Sequence, residues 1–166
     1  SSVYFDGNSV IQTLSSTIEI YGLHVAGTSN TVKLLSPGAT IGNLIIGNST
    51  TFNVNGISFA IGLTYTNNGT LQLHGNEVIT FTSDASVSIG TLEYIGDGDG
   101  TVNTYTIHNN FAYTGTLTYN QIIINDQNAT RDIFQIGAAL TADALTIAEN
   151  NIFSLNGNDF NFLSPA

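Results

Sequence analysis

Leu44-Ile-Ile-Gly-Asn-Ser-Thr-Thr-Phe-Asn-Val-Asn-Gly-Ile-Ser-Phe59 is the stretch whose reading decides the fold. It returns from 145 to 160 as Leu-Thr-Ile-Ala-Glu-Asn-Asn-Ile-Phe-Ser-Leu-Asn-Gly-Asn-Asp-Phe. The two align without a gap: Leu44, Ile46, Phe52, Asn55, Gly56 and Phe59 meet Leu145, Ile147, Phe153, Asn156, Gly157 and Phe160. Leu-x-Ile and Phe-x-Val (or Phe-x-Leu) alternate with the period of a strand. Asn-Gly between apolar positions marks a tight turn, because both residues tolerate positive φ. The unit therefore reads strand, turn, strand, turn, strand, and its recurrence points to a repeat architecture.

Shorter echoes surround it. Leu23-His24-Val25 followed by Val32-Lys33-Leu34 repeats the spacing of the unit with one residue inserted. Val3 to Phe5, Val10 to Leu14 and Ile18 to Ile20 are further strand candidates, and Pro37-Gly38 marks a loop. Gly69-Thr-Leu-Gln-Leu73 returns as Gly90-Thr-Leu-Glu-Tyr94 and again as Gly115-Thr-Leu-Thr-Tyr119. The pair Ile122 and Ile124 returns at a similar step as Leu145 and Ile147. Steps of this size suit one coil of a β-solenoid. Ala138 to Ala148 has helical propensity, but Leu145-x-Ile147 places its end inside the repeat, so it reads as β. The expected fold is all-β: a solenoid-like stack of short strands in one domain spanning residues 1–166. An antiparallel β-sandwich is the alternative, since short strands with frequent turns would also suit it.

Composition limits the function classes. Apolar residues make up 42%, enough for a core, but only 8% are charged, against an average of about 25%. Lys33 and Arg131 are the only basic residues, and 12 acids bring the net charge to −10. A surface so poor in cations argues against nucleic acid and against anionic membranes. The absence of Cys excludes disulfides and thiolate chemistry. No stretch has the length of a membrane span. The chain starts at Ser1 with no charged, apolar leader, the expectation for a processed or excised segment. An Asn- and Thr-rich surface fits the outside of a cell.

Several phrases carry a family likeness: Leu-x-Ile…Phe-x-Leu-Asn-Gly-x-x-Phe, the run Gly90 to Thr101 (Gly-Thr-Leu-Glu-Tyr-Ile-Gly-Asp-Gly-Asp-Gly-Thr), and the run Tyr119 to Asp126 (Tyr-Asn-Gln-Ile-Ile-Ile-Asn-Asp). Residues 39–162 resemble the repeats of large bacterial surface proteins, the filamentous-haemagglutinin-like and autotransporter-like β-solenoids. The resemblance implies an extracellular, elongated, adhesive or structural protein without catalytic residues of its own. This chain is short for that pattern, with roughly six or seven coils and no evident cap.

Candidate sites are few. Asp97-Gly98-Asp99-Gly100-Thr101 offers alternating oxygens on a flexible backbone, so Asp97 and Asp99 are the candidate calcium ligands. The competing reading is a Gly-rich turn with solvated acids. His24, His74 and His108 have no metal-binding spacing, and Glu19, Glu77, Glu93 and Glu149 form no evident acid pair. Four Thr-x-Thr pairs have irregular steps and cannot make a single column. Asn48, Asn68 and Asn128 lie in glycosylation sequons. Tyr4, Tyr21, Tyr65, Tyr94, Tyr105, Tyr113 and Tyr119 offer rings for sugars or for packing. The expected function is that of a non-enzymatic extracellular structural protein whose partner is another copy of itself, joined head-to-tail. The alternative is a carbohydrate-binding or carbohydrate-active module, with cell-surface glycans as partners.

Overall fold

A computed structural model describes residues 2–7, 12–14, 19–35, 40–82, 87–107, 111–112 and 119–163. The strands in chain order are β1 (Ser2–Phe5), β2 (Gln12–Leu14), β3 (Ile20–Val25), β4 (Thr31–Leu34), β5 (Thr40–Ile46), β6 (Thr51–Asn53), β7 (Phe59–Asn67), β8 (Thr70–Leu73), β9 (Ile79–Phe81), β10 (Val87–Tyr94), β11 (Thr104–Ile107), β12 (Phe111–Ala112), β13 (Tyr119–Ile124), β14 (Ile133–Ile136), β15 (Leu140–Ile147), β16 (Ile152–Ser154) and β17 (Phe160–Phe162). Every described pairing is parallel, and each joins a strand to one a coil away. That is a β-solenoid; the antiparallel sandwich is set aside. Ala138 to Ala148 is β as the repeat requires, because β15 crosses it.

The strands form three faces. Val3, Leu23, Leu44 and Tyr65 stack in register on the first, and the backbone of Val87 pairs with that of Tyr65. Val32, Phe52, Leu71, Leu92, Ile122 and Leu145 stack on the second. A third, carried by β11, β14 and β16, is found among the described residues only in the C-terminal half. Strands in such a ladder lie about 4.8 Å apart, so each inward side chain packs against its counterparts above and below. Leu23, Leu44, Tyr65, Phe52, Leu71, Leu92 and Phe134 are fully buried.

The corner between the first two faces tightens along the chain. In the coil of β5 and β6 it is a turn in which Thr50 N donates to Gly47 O, and Thr50 Oγ1 donates to Gly47 O (2.7 Å) and Val25 O (3.2 Å). Between β7 and β8 it shrinks to Asn68-Gly69. In β10 one strand spans both faces, pairing with β7 through Val87 and Ser88 and with β8 through Thr91 to Tyr94. Gly90 sits at that bend, where a Cβ would collide with the Asn67 carbonyl oxygen. Outside the second face, side chains form a polar ladder. Asn53 donates to Gln72, while Gln72 (2.9 Å) and Asn125 (2.6 Å) both donate to Glu93.

Sequence likeness and position around the axis part company in two places. Both copies of the organising unit follow the same local path, with Asn55 (φ 54°), Gly56 (72°), Asn156 (50°) and Gly157 (76°) all left-handed. They do not occupy the same face: Leu145 stacks in the column of Phe52, not that of Leu44. Local turn residues set the path, while earlier loops set where it falls around the axis. The third Gly-Thr-Leu phrase also departs. Its residues 115–118 lie outside the described residues, but Tyr119 pairs with Ile89, not with Tyr94. The long corner from Ile95 to Asn103 and the added third face lengthen that coil, so Leu92 stacks on Ile122 and not on Leu117.

Candidate functional site

The Asp97–Thr101 run forms the wide corner leading to the third face. Asp97 Oδ1 accepts from the amide of Asp99 (3.1 Å), and its Oδ2 accepts from Asn103 Nδ2 (3.2 Å) and the Tyr105 hydroxyl. Asp99 Oδ1 accepts from both the amide and the hydroxyl of Thr101 (2.7 Å each), and its Oδ2 from Asn103. All four carboxylate oxygens of the candidate calcium ligands are therefore turned onto the chain's own donors. The Thr101 bonds hold Asp99 below the usual carboxylate range, and burial together with the Asp97 contact pushes Tyr105 up. Among the described residues, no group of three or more His, Asp or Glu is placed to hold a metal ion.

Sequence reading missed the acids that matter most to this corner. Asp132 is 1% exposed and accepts from the amides of Asn103 (2.8 Å) and Asp97 (3.2 Å). Asp126, fully buried, accepts from the amides of Asn128 and Asp132 at 2.8 Å each. Desolvation raises Asp132, partly offset by those two amides. Glu77 has the same role one coil earlier, accepting from the amides of His74, Gly75 and, in the coil before that, Gly56. Where corners widen, amides lose ladder partners, and a buried amide must find another acceptor. These carboxylates supply it. The available signal was an acid at the end of a Gly- or Asn-containing corner, as in His74-Gly-Asn-Glu77.

The remaining predicted positions are scattered. Asn48 and Asn68 are exposed in successive coils at the corner between the first two faces, while Asn128 is half-buried and donates to Ile95 O (3.2 Å). His24 stacks on Tyr4 with ring centroids 4.4 Å apart, His74 is half-buried, and His108 lies outside the described residues. Tyr65, Tyr94 and Tyr119 are core residues, and Tyr113 lies outside the described residues. Among the described tyrosines, Tyr4 and Tyr21 face solvent, at 63% and 62% exposure.

Two surface features remain. A groove of about 620 Å³ crosses successive coils at the bend within the first face, floored by Gly42 and Gly62 and bounded by Glu19, Tyr21, Leu63 and Thr82. Sequence reading missed it, although the step from Gly42 to Gly62 is that of one coil. The second feature is the pair of terminal coils among the described residues. At the C-terminal end Ile147, Ile152, Leu155, Phe162 and Leu163 are 42–63% exposed. At the N-terminal end, among the described residues, β1 pairs only with β3 and β2 only with β4. Among the described residues no helix is long and apolar enough to cross a membrane. Comparison with protein-family models, curated proteins and solved structures finds no match for this chain.

Proposed function

We propose that this chain is a self-assembling structural element of the cell exterior, a subunit or segment of a filament, sheath or adhesin stalk, with no catalytic role. The observation that carries the reading is the match between its two ends. Among the described residues, both present free parallel strand edges over an incompletely covered apolar core, and unpaired edges of this kind template further pairing. Phe160 stacks on Leu140 on the first face, where Val3 begins the same face at the other end. Placing β1 of a following copy over β17 would continue the parallel ladder. Such a contact is head-to-tail and, unless it closes into a ring, propagates. The composition supports an extracellular setting, as does the resemblance to bacterial surface β-solenoids.

The ends differ in one respect that shapes the contact. The third face, with Ile152 at 51% exposure on β16, has no counterpart beside β1 and β2 among the described residues. The first face therefore carries the pairing, and β16 stays at the rim of the junction. The test removes residues 1–5 and, separately, residues 160–166. Each truncation should abolish long assemblies in sedimentation and electron microscopy while leaving a soluble β-rich monomer. Assemblies that persist in both truncations would refute the reading.

A further inference from the structure

The groove at the bend of the first face is a second, independent feature, with its own chemistry. It exists because of where the bend falls in successive coils. In β3 the bend is Tyr21, in β5 it is Gly42, and in β7 it is Gly62-Leu63, as the register shows: Ile20 pairs with Ile41 and Ile41 with Ile61, whereas Gly22 pairs with Asn43 and Asn43 with Thr64. Two glycines in successive coils thus leave a notch between the side chain of Tyr21 on one side and those of Leu63 and Thr82 on the other. The Gly42 position is closed to any side chain, because a Cβ there would collide with the Tyr21 carbonyl oxygen. Beside the notch, Asn43 Nδ2 donates to Tyr21 O (3.2 Å) and Thr64 Oγ1 donates to Asn43 Oδ1 (2.7 Å), tying the three coils together. The notch is therefore preformed, which lowers the ordering cost of binding.

Its lining selects a ligand class. The volume of about 620 Å³ lies inside the range of small-ligand clefts, about 300–1,000 Å³. Among the described residues no cation lines it, and the chain carries a net charge of −10, so anions are disfavoured. The Glu19 carboxylate and the hydroxyls of Thr40 and Thr82 offer acceptors to a ligand rich in O–H donors. The exposed ring of Tyr21 and the exposed Leu63 offer apolar faces for C–H surfaces. We infer that this groove binds a short stretch of a neutral polysaccharide, with Tyr21 as the stacking platform. The lining comes from β3, β5, β7 and the residues beside β3 and β9, with none from β1 or β17, so the site is complete within one copy.

The test is a calorimetric titration with neutral tetrasaccharides of glucose, mannose and N-acetylglucosamine, beside a tetragalacturonate and a lysine tetrapeptide. Gly62→Val fills the notch, and its Cβ meets only ordinary contacts, at 3.7 Å from Gly42 Cα and Thr82 Oγ1. Tyr21→Ala removes the exposed ring. The expected result is saturable binding of at least one neutral tetrasaccharide, weakened at least about tenfold in both variants, with melting temperature and sedimentation unchanged. No neutral sugar binding up to about 10 mM, binding that survives Gly62→Val, or binding of the lysine peptide or galacturonate alone would each overturn it.

Discussion

The two copies of the organising unit, 44–59 and 145–160, turn the chain in the same way but lie in different surroundings. Both have the left-handed Asn-Gly pair, and both close the following turn with an amide to a carbonyl three residues back: Ile57 to Val54 at 3.0 Å, Asn158 to Leu155 at 2.9 Å. In the first copy Leu44, Ile46, Phe52 and Val54 are fully buried. In the second, Leu145 and Phe153 are only partly buried, and Ile147 and Leu155 are 45% and 48% exposed. Among the described residues the first copy has a coil on each side, the second a coil on one side. The turn chemistry is thus local, whereas burial, and with it stabilisation, comes from neighbouring coils.

The largest expected difference between the copies lies in their aromatic positions. Phe52→Ala should cost about 3–5 kcal/mol, the usual penalty for emptying a closed aromatic site. Phe153→Ala should cost on the order of 1 kcal/mol in the monomer, because its site is already half open. Chemical denaturation of both variants measures this, and equal losses would mean that the last coil is as well covered as the inner ones. Next come the turns. Gly56→Val should lose about 1–3 kcal/mol through a β-branched residue forced to positive φ. Gly157→Val should lose less, because the terminal coil can relax around it. Coincident melts of Gly56→Val and wild type would show that the shared turn does not constrain the inner coil.

How much of this was legible beforehand follows the same division. Alternation and Asn-Gly pairs are local signals, so strands, turns and the parallel stacking of Leu71 on Leu92 and Ile122 on Leu145 could be read directly. Which face a unit reaches depends on accumulated corner lengths, and no pattern within 44–59 or 145–160 encodes that. The structural roles of Glu77, Asp126 and Asp132 were hidden because their partners are amides, among them those of Gly56 and Asn103, brought near only by coiling. Asp97 and Asp99 stood out in sequence by spacing alone, while their actual partners, Asn103 and Tyr105, lie a few residues downstream.

Smaller effects separate the two acidic roles within the wide corner. Asp132 has a raised carboxyl in the folded state, so its ionised form costs stability at neutral pH. That cost is relieved as pH falls through its folded value towards the ordinary carboxylate range. Asp99 behaves oppositely: its bonds to Thr101 contribute above the ordinary range and are lost as pH falls through its lowered folded value. Calorimetric melts from pH 7 down to about 2 should therefore show wild type gaining on Asp132→Asn as pH falls towards the ordinary carboxylate range, and losing on Asp99→Asn only below that range, relative to its neutral-pH margins. A margin that stays constant with pH in either pair would contradict the assignment of that acid. The smallest expected effect is calcium's. Because Asp97 and Asp99 already have internal donors on all four oxygens, titration with CaCl₂ should be thermally flat and EDTA should leave the melt in place. A saturable heat would show that the ion outcompetes Asn103, Thr101 and Tyr105.

Sedimentation velocity of the intact chain from micromolar to millimolar concentration tests head-to-tail pairing of the open ends most directly. The account predicts a distribution that shifts to long assemblies as concentration rises, and that Phe162→Ala, on the exposed edge strand β17, moves to higher concentration while Phe52→Ala in the folded state does not. A single monomer boundary up to millimolar concentration, across pH and calcium levels, would contradict it.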